Sequence, residues 1–214
     1  YNIHGCIGRR GVEDPDAILR VIEEADADVV ALQEVHDESS ADRSFLRSLK
    51  SRLDYANVLY DPTMRKASAD YGNLLLARPM LDLSQPGREP RGAIRIHLAW
   101  KGRDVEITAT HLGLAPAERR AQIRRLMEPG PASVRVRSGA VRVLMGDLNE
   151  WLTLGRAGRM LRSHFGHAAT IRTFPSFLPA LALDRIHVRP SDVRVVWRRM
   201  DSATAKVASD HRPL

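Results

Sequence analysis

The feature that most constrains this chain is a repeated junction. Four times, polar side chains able to do chemistry collect beside a short apolar run. The clusters are Asn2-Ile3-His4-Gly5, Gln33-Glu34 after Val29-Val30-Ala31-Leu32, Gly146-Asp147-Leu148-Asn149 after Val141 to Met145, and Ser209-Asp210-His211. Thr110-His111-Leu112 and Leu183-Asp184-Arg185 end or begin apolar runs in the same way. Short apolar runs bounded by turn signals read as buried strands. The ends of such strands, and the loops beyond them, are where a rigid scaffold carries its working groups. The chain must therefore build sheets whose polar ends can meet.

The rest of the pattern supplies strands and helices in irregular alternation. Asp14-Pro15-Asp16 opens a helix, with Asp14 as N-cap and Pro15 at the first helical position, followed by Ile18, Leu19, Ile22 and Ala25 at helical spacing. Phe45, Leu46, Leu49 and Leu53 mark a second amphipathic helix. Strands are expected at 57–60, 73–77, 93–100, 105–110, 141–145, 183–188 and 193–197, with a hairpin turn at Lys101-Gly102-Arg103. Helices are expected from Pro116 through Met127 and over 154–165, and loops over 81–91 and 128–139. With no repeat and no low-complexity linker, this predicts one domain, an α+β arrangement with a mixed sheet system and helices outside it.

Composition sets the outer limits. The chain has 214 residues, enough for a sizeable core, and only 5% of them are aromatic, so aliphatic side chains must do most of the packing. Its net charge is +7, from 33 Lys plus Arg against 26 Asp plus Glu. Such a surface favours polyanionic partners, nucleic acid first and anionic lipid second. An Arg-rich proteome explains the same excess equally well, because the arginines are spread along the chain. One cysteine, Cys6, excludes an intrachain disulfide and is compatible with a cytoplasmic protein. No apolar run approaches the roughly 20 residues of a membrane span. Tyr1 and Leu214 each stand close to a motif, so the domain over 1–214 is expected to be trimmed at both ends.

The residue types at the junctions point to one chemistry. Asn2 and Glu34 offer oxygen atoms, which suit hard cations such as Mg²⁺ or Mn²⁺. There is no H-E-x-x-H and no Cys/His ligand set, so a conventional zinc site is not expected. Asp147 can hold or deprotonate a water, and Asn149 can orient that water or a phosphoryl oxygen. His211 needs a partner to fix its tautomer and stabilise its cation, and Asp184 is the candidate. His111 can contact a phosphate or protonate a leaving oxygen. Taken singly, each has a plainer explanation. Gly-Asp at a strand end is usually a turn, an Asp-His pair is usually a surface hydrogen bond, and His164 and His167 are best read as helix-end solvation. The joint occurrence, in this order, carries the weight.

These motifs resemble the endonuclease/exonuclease/phosphatase superfamily, the DNase I-like metal-dependent phosphohydrolases. The matching segments are Tyr-Asn-Ile-His-Gly (1–5), Asp-Val-Val-Ala-Leu-Gln-Glu-Val (28–35), Tyr-Gly-Asn-Leu-Leu-Leu-Ala-Arg (71–78), Thr-His-Leu (110–112), Gly-Asp-Leu-Asn (146–149), Leu-Asp-Arg-Ile (183–186) and Ser-Asp-His-Arg-Pro-Leu (209–214). The resemblance implies a four-layer α/β sandwich, two packed mixed β-sheets flanked by helices. It implies a Mg²⁺ (or Mn²⁺) ligand at Glu34, helped by Asn2 and Asp210. Asp147 would position or activate the attacking water, and Asn149 would support the phosphate. His211, braced by Asp184, and His111 would stand on the phosphate side. Several nucleases of the family carry aspartate where His4 stands, which leaves the role of His4 open. The expected function is phosphodiester hydrolysis, with a nuclease as the first reading. A lipid phosphodiesterase is the alternative, drawing on the apolar 174–183 loop and implying peripheral membrane contact. A small-molecule phosphatase and a non-enzymatic binding module complete the field.

Overall fold

The computed structural model describes residues 1–37, 44–65, 70–78, 87–89, 92–128, 139–152 and 155–214. Helix α1 (Pro15–Ala25) starts as its sequence demands. The Asp14 carboxylate accepts from Ala17 N–H at 2.9 Å, Pro15 sits in the first turn, and a left-handed Asp26 ends the helix. Strand β1 (Val29–Asp37) and helix α2 (Ser44–Arg52) follow, then strands β2 (Asn57–Arg65) and β3 (Asp70–Ala77). These three strands form an antiparallel sheet in the order β1-β3-β2.

The second sheet has five strands. They are β4 (Gly87–Glu89), β5 (Ala93–Trp100), β6 (Arg103–Thr110), β7 (Val141–Asp147) and β8 (Asp184–Arg189), in that spatial order. Lys101 and Gly102, both at positive φ, close the tight β5–β6 hairpin. β6 and β7 run parallel, which a hairpin cannot achieve, and helix α3 (Pro116–Met127) lies in the crossover between them. Helix α4 (Arg156–Phe165) lies between β7 and the antiparallel β8.

Side-chain alternation turns the two sheets into four layers. On β3, Leu74 and Leu76 face the cluster built with Ile18, Leu19 and Ile22 of α1 and Leu49 of α2. Leu75 and Ala77 face the other way and meet Ile94, Ile96 and Leu98 of β5 and Ile107 of β6 between the sheets. Beyond the second sheet, Leu144 packs with Ile123, Leu126, Leu161 and Phe165 of α3 and α4. The order is helices, sheet, sheet, helices. The all-leucine run Leu74-Leu75-Leu76 is buried because both faces of its strand are covered. Each such side chain contributes roughly 1.5–3 kcal/mol of transfer free energy, which aliphatic residues supply here without many aromatics.

Three local expectations are corrected. Gln33-Glu34 does not sit where β1 ends. Leu32 pairs with Leu74 and Val35 with Gly72, so Gln33 and Glu34 together oppose the single residue Asn73 in a bulge inside the strand. The 193–197 segment keeps its alternating exposure but joins no strand ladder among the described residues. Its link to β8 is a side-chain bond, from the Trp197 indole N–H to the Ile186 carbonyl at 2.9 Å. Within the expected 81–91 loop, 87–89 adds an edge strand against β5. Residues 81–86, 90–91 and 129–138 lie outside the described residues.

Candidate active site

The polar junctions meet at one end of the two sheets. Asp147 is the last residue of β7 and pairs across the ladder with Asp184, the first of β8. His111 follows the last residue of β6. From the other sheet, the β1 bulge puts Glu34 at φ +56°, a left-handed conformation that an ordinary residue adopts only when its surroundings impose it. Asn2 runs beside the bulge, bridged in parallel to Gln33, with Ile3 N–H bonded to the Gln33 carbonyl at 3.0 Å. His4, Gly5 and Cys6 then turn away through three successive positive φ values. Gly5 is required there, since a Cβ would overlap the His36 ring.

Asp147 is the hub. Its Oδ2 accepts from Asn2 Nδ2 at 3.2 Å and lies 3.6 Å from His111 Nε2 and 3.7 Å from His211 Nε2. Its Oδ1 accepts from Asn149 N–H at 2.9 Å. The same Asn2 amide nitrogen donates to Glu34 Oε1 at 2.9 Å, so one neutral amide bridges two carboxylates from different sheets. The Asn2 oxygen accepts from His4 N–H at 3.0 Å and faces the turn rather than the carboxylates. Asn149, at φ +47°, donates from Nδ2 to the Leu112 carbonyl at 2.8 Å, and its Nδ2 stands 3.1 Å from His111 Nε2.

His211 is held on its other side. Its Nδ1 lies 2.7 Å from Asp184 Oδ2, which also accepts from Thr173 Oγ1 at 2.6 Å. The Phe174 ring packs against the imidazole with centroids 4.8 Å apart. Burial works to lower the His211 imidazole, but the charge and hydrogen bond of Asp184 outweigh it. With Asp147 and Asp210 adding to them, they lift it to about 9. For Asp184, burial works upward, yet His211 and the Thr173 bond hold the carboxyl below its usual range. Asp147 goes the other way. Burial first, and then the negative charge of Asp184, push its carboxyl up, against the pull of His111 and His211. Near neutral pH the site thus pairs an imidazolium with Asp184 beside a carboxylate short of positive charge.

Asn2, Glu34, His111, Asp147, Asn149, Asp184 and His211 therefore converge. Asp210 is further out. Its Oδ1 lies 3.8 Å from His4 Nδ1, with both side chains substantially exposed. Other residues hold these in place. Thr173 braces Asp184, and Ser209 Oγ donates to the Asn2 carbonyl at 2.8 Å, which joins the two ends of the described chain. Buried Glu150 pairs with buried Arg119 at 3.4 Å and accepts from Leu152 N–H at 3.0 Å. Arg119 also donates to the Gly113 carbonyl at 3.2 Å and to the Leu114 carbonyl, so it anchors the loop after His111. Glu150 abuts Asn149 in sequence and offered a signal. Thr173 offered none.

The family model described as Endonuclease/Exonuclease/phosphatase family matches residues 1–211. The chain belongs to this family. Membership makes it a hydrolase of phosphoric esters, of the phosphoesterase and nuclease type. Among curated relatives, uncharacterized protein YbhP of Escherichia coli (strain K12) is 29% identical over 220 residues, covering 88% of this chain and 81% of that protein. Among solved structures, an endonuclease/exonuclease/phosphatase from Beutenbergia cavernae DSM 12333 superposes with a TM-score of 0.71 at 21% identity, over 99% of this chain and 68% of that one. D. rerio TDP2, solved with a single-strand DNA product, superposes with a TM-score of 0.56 at 14% identity, over 92% and 88%. The four layers are those of the family's DNase I-like fold.

Proposed function

We propose that the chain is a metal-dependent phosphodiester hydrolase whose centre is Asp147. The observation that carries this reading is the convergence on one carboxylate of two imidazoles and an amide, with a second carboxylate held by the same amide. The donor set fits Mg²⁺ or Mn²⁺. Glu34 and Asp147 offer carboxylate oxygens on one shared amide, and Asp147 is pushed up by burial and by a neighbouring acid, a stress that a cation relieves. Glu34 would hold the ion, with Asp210 at its edge. Asn2, whose amide oxygen is taken by His4 N–H, does not face the ion as expected and instead orients Glu34 and Asp147 through its N–H group. The ion supplies neutralisation of the charge that builds on the phosphoryl group.

The remaining work falls to the chain itself. Asp147 positions a water for in-line attack and takes up its proton. His211, kept cationic by Asp184 at Nδ1, donates a hydrogen bond from Nε2 to a phosphoryl oxygen, and the developing charge meets a donor that needs no reorganisation. Asn149 acts through His111. Its amide nitrogen stands between the Leu112 carbonyl and the His111 ring, so it aims that ring at the phosphate side. Hydrolysis of a chromogenic phosphodiester in Mn²⁺ or Mg²⁺ tests this. Activity that disappears with EDTA is expected, and full activity in EDTA overturns the reading.

Two substrate classes carry phosphodiesters and suit a chain of charge +7. The nuclease reading is supported by the charge and by the likeness to TDP2 solved with single-strand DNA. The lipid reading is favoured by a specific observation. Phe177 and Leu178, in the loop next to His211, are 56% and 69% exposed.

A further inference from the structure

Large apolar side chains scattered singly over a surface need no explanation. Here they are not scattered. Of the nine that are exposed among the described residues, five stand on three loops flanking the site on two sides. On one side are Leu114, Trp151 and Leu152, at 75%, 62% and 71% exposure. On the other are Phe177 and Leu178. On both sides the loops are fastened by their backbones to the catalytic framework. Arg119 holds the Leu114 carbonyl and pairs with Glu150, whose carboxylate takes the Leu152 N–H. Across the site, Ser176 N–H donates to the Asp210 carbonyl at 2.6 Å, and Leu178 N–H to the Pro175 carbonyl at 3.1 Å. The loops are fixed while their apolar side chains stand in water.

Cations frame both sides. The Arg9 guanidinium lies 5.2 Å over the Phe177 ring. Next to Leu152, whose carbonyl accepts from Gly155 N–H, helix α4 begins at Arg156. There Arg120, Arg124, Arg156 and Arg159 line an open groove of about 410 Å³. We propose that this rim is a docking surface for an anionic phospholipid bilayer, which seats the phosphodiester-bearing surface over the site.

The chemistry of the rim selects that partner. Three of the five side chains are leucines, which have no π face for a nucleobase and no polar atom for a base edge. Their burial needs an apolar phase. Trp and Phe beside arginines are what a protein places at the headgroup level of a membrane, and anionic headgroups answer the arginine groove and the +7 charge. A folded protein seated across these loops would cover the site, whereas a bilayer presents phosphodiesters to it. The purpose of the surface rests on the phosphodiesterase reading, but binding is measured without turnover.

The test uses the whole chain with vesicles of phosphatidylcholine alone and of phosphatidylcholine mixed with phosphatidylglycerol. Sedimentation with the anionic vesicles is expected, with a blue shift of tryptophan emission that Trp151→Phe removes. Leu152→Ser combined with Leu178→Ser should weaken binding about tenfold, with hydrolysis of a soluble chromogenic phosphodiester unchanged. Absence of anionic vesicle binding, or binding indifferent to the double substitution, overturns the proposal and leaves the phosphodiesterase reading standing. Vesicle binding by a protein that hydrolyses no phosphodiester supports the docking surface and overturns that reading instead. Capture of a single-stranded oligonucleotide that the same substitutions abolish assigns the rim to nucleic acid and overturns the lipid proposal.

Discussion

At the scale of single residues, the site depends on a few atoms that no neighbour can replace. His211 is cationic because Asp184 stands 2.7 Å from its Nδ1, and burial alone would strip it of its proton. Asp184→Asn keeps the shape and removes the charge. The expected result is a fall in kcat of about 10³- to 10⁴-fold on a chromogenic phosphodiester, with an unchanged circular dichroism spectrum. Activity kept within a few-fold would remove the dyad from the mechanism. Gly146 has a structural counterpart of that role. At φ +141° it lies so close to β6 that a Cβ would overlap the Thr110 carbonyl oxygen. Gly146→Ala should cost about 2–3 kcal/mol in a urea titration. It should also lower activity, because Asp147 is the next residue. A neutral substitution would mean that the strand ends are looser than this geometry requires.

At the scale of elements, the loops after β6 and β7 are joined by the buried pair Arg119 and Glu150. Breaking a buried pair leaves one charge uncompensated, so Glu150→Leu alone should destabilise by about 3–5 kcal/mol. Arg119→Met with Glu150→Leu should recover much of that loss, and a double-mutant cycle measures the difference. A second element-level consequence lies in β8. His187 is buried, with Nδ1 2.9 Å from the Gly166 carbonyl, and burial first, then Arg185 and Arg162, lower it to about 4. The unfolded imidazole titrates near 6.5, so between these values the unfolded state binds the extra proton. The contribution is full above 6.5 and is lost as pH falls toward 4. It should amount to something on the order of 3 kcal/mol. Denaturation midpoints should therefore drop over this window for the native chain and less steeply for His187→Gln. Parallel pH profiles would contradict it.

The elements also mark how far the sequence could be read. Helix α1 was legible because its cap, proline and apolar spacing are all local. Each strand end carrying Asp147, Asp184 or His111 was legible because apolar runs stop there abruptly. The β1 bulge was not, because two residues facing one depends on the partner strand, and Val29 to Leu32 gives no sign of continuing to Asp37. The 193–197 segment misled for a related reason. Alternation records which side chains face inward and says nothing of a ladder partner. Thr173 went unseen because its bond to Asp184 is set by the fold and it belongs to no motif.

At the scale of the whole molecule, two sheets packed face to face bring together residues from both ends of the described chain. Asn2 and Glu34 come from one sheet, His111, Asp147 and Asp184 from the other, and His211 from the last residues. Serving such a site is what the four layers do. Glu34 and Asp147 are carboxylates from different sheets that share one amide donor, Asn2, and under the proposed reading a hard cation would neutralise them. The most direct test is turnover of a chromogenic phosphodiester during a Mn²⁺ titration, with the native chain and Glu34→Gln side by side. We predict saturable, metal-dependent turnover in the native chain and a loss of about a hundredfold or more in Glu34→Gln. Equal turnover by the two proteins, or turnover indifferent to Mn²⁺, would contradict a cation-assisted centre built on Glu34 and Asp147.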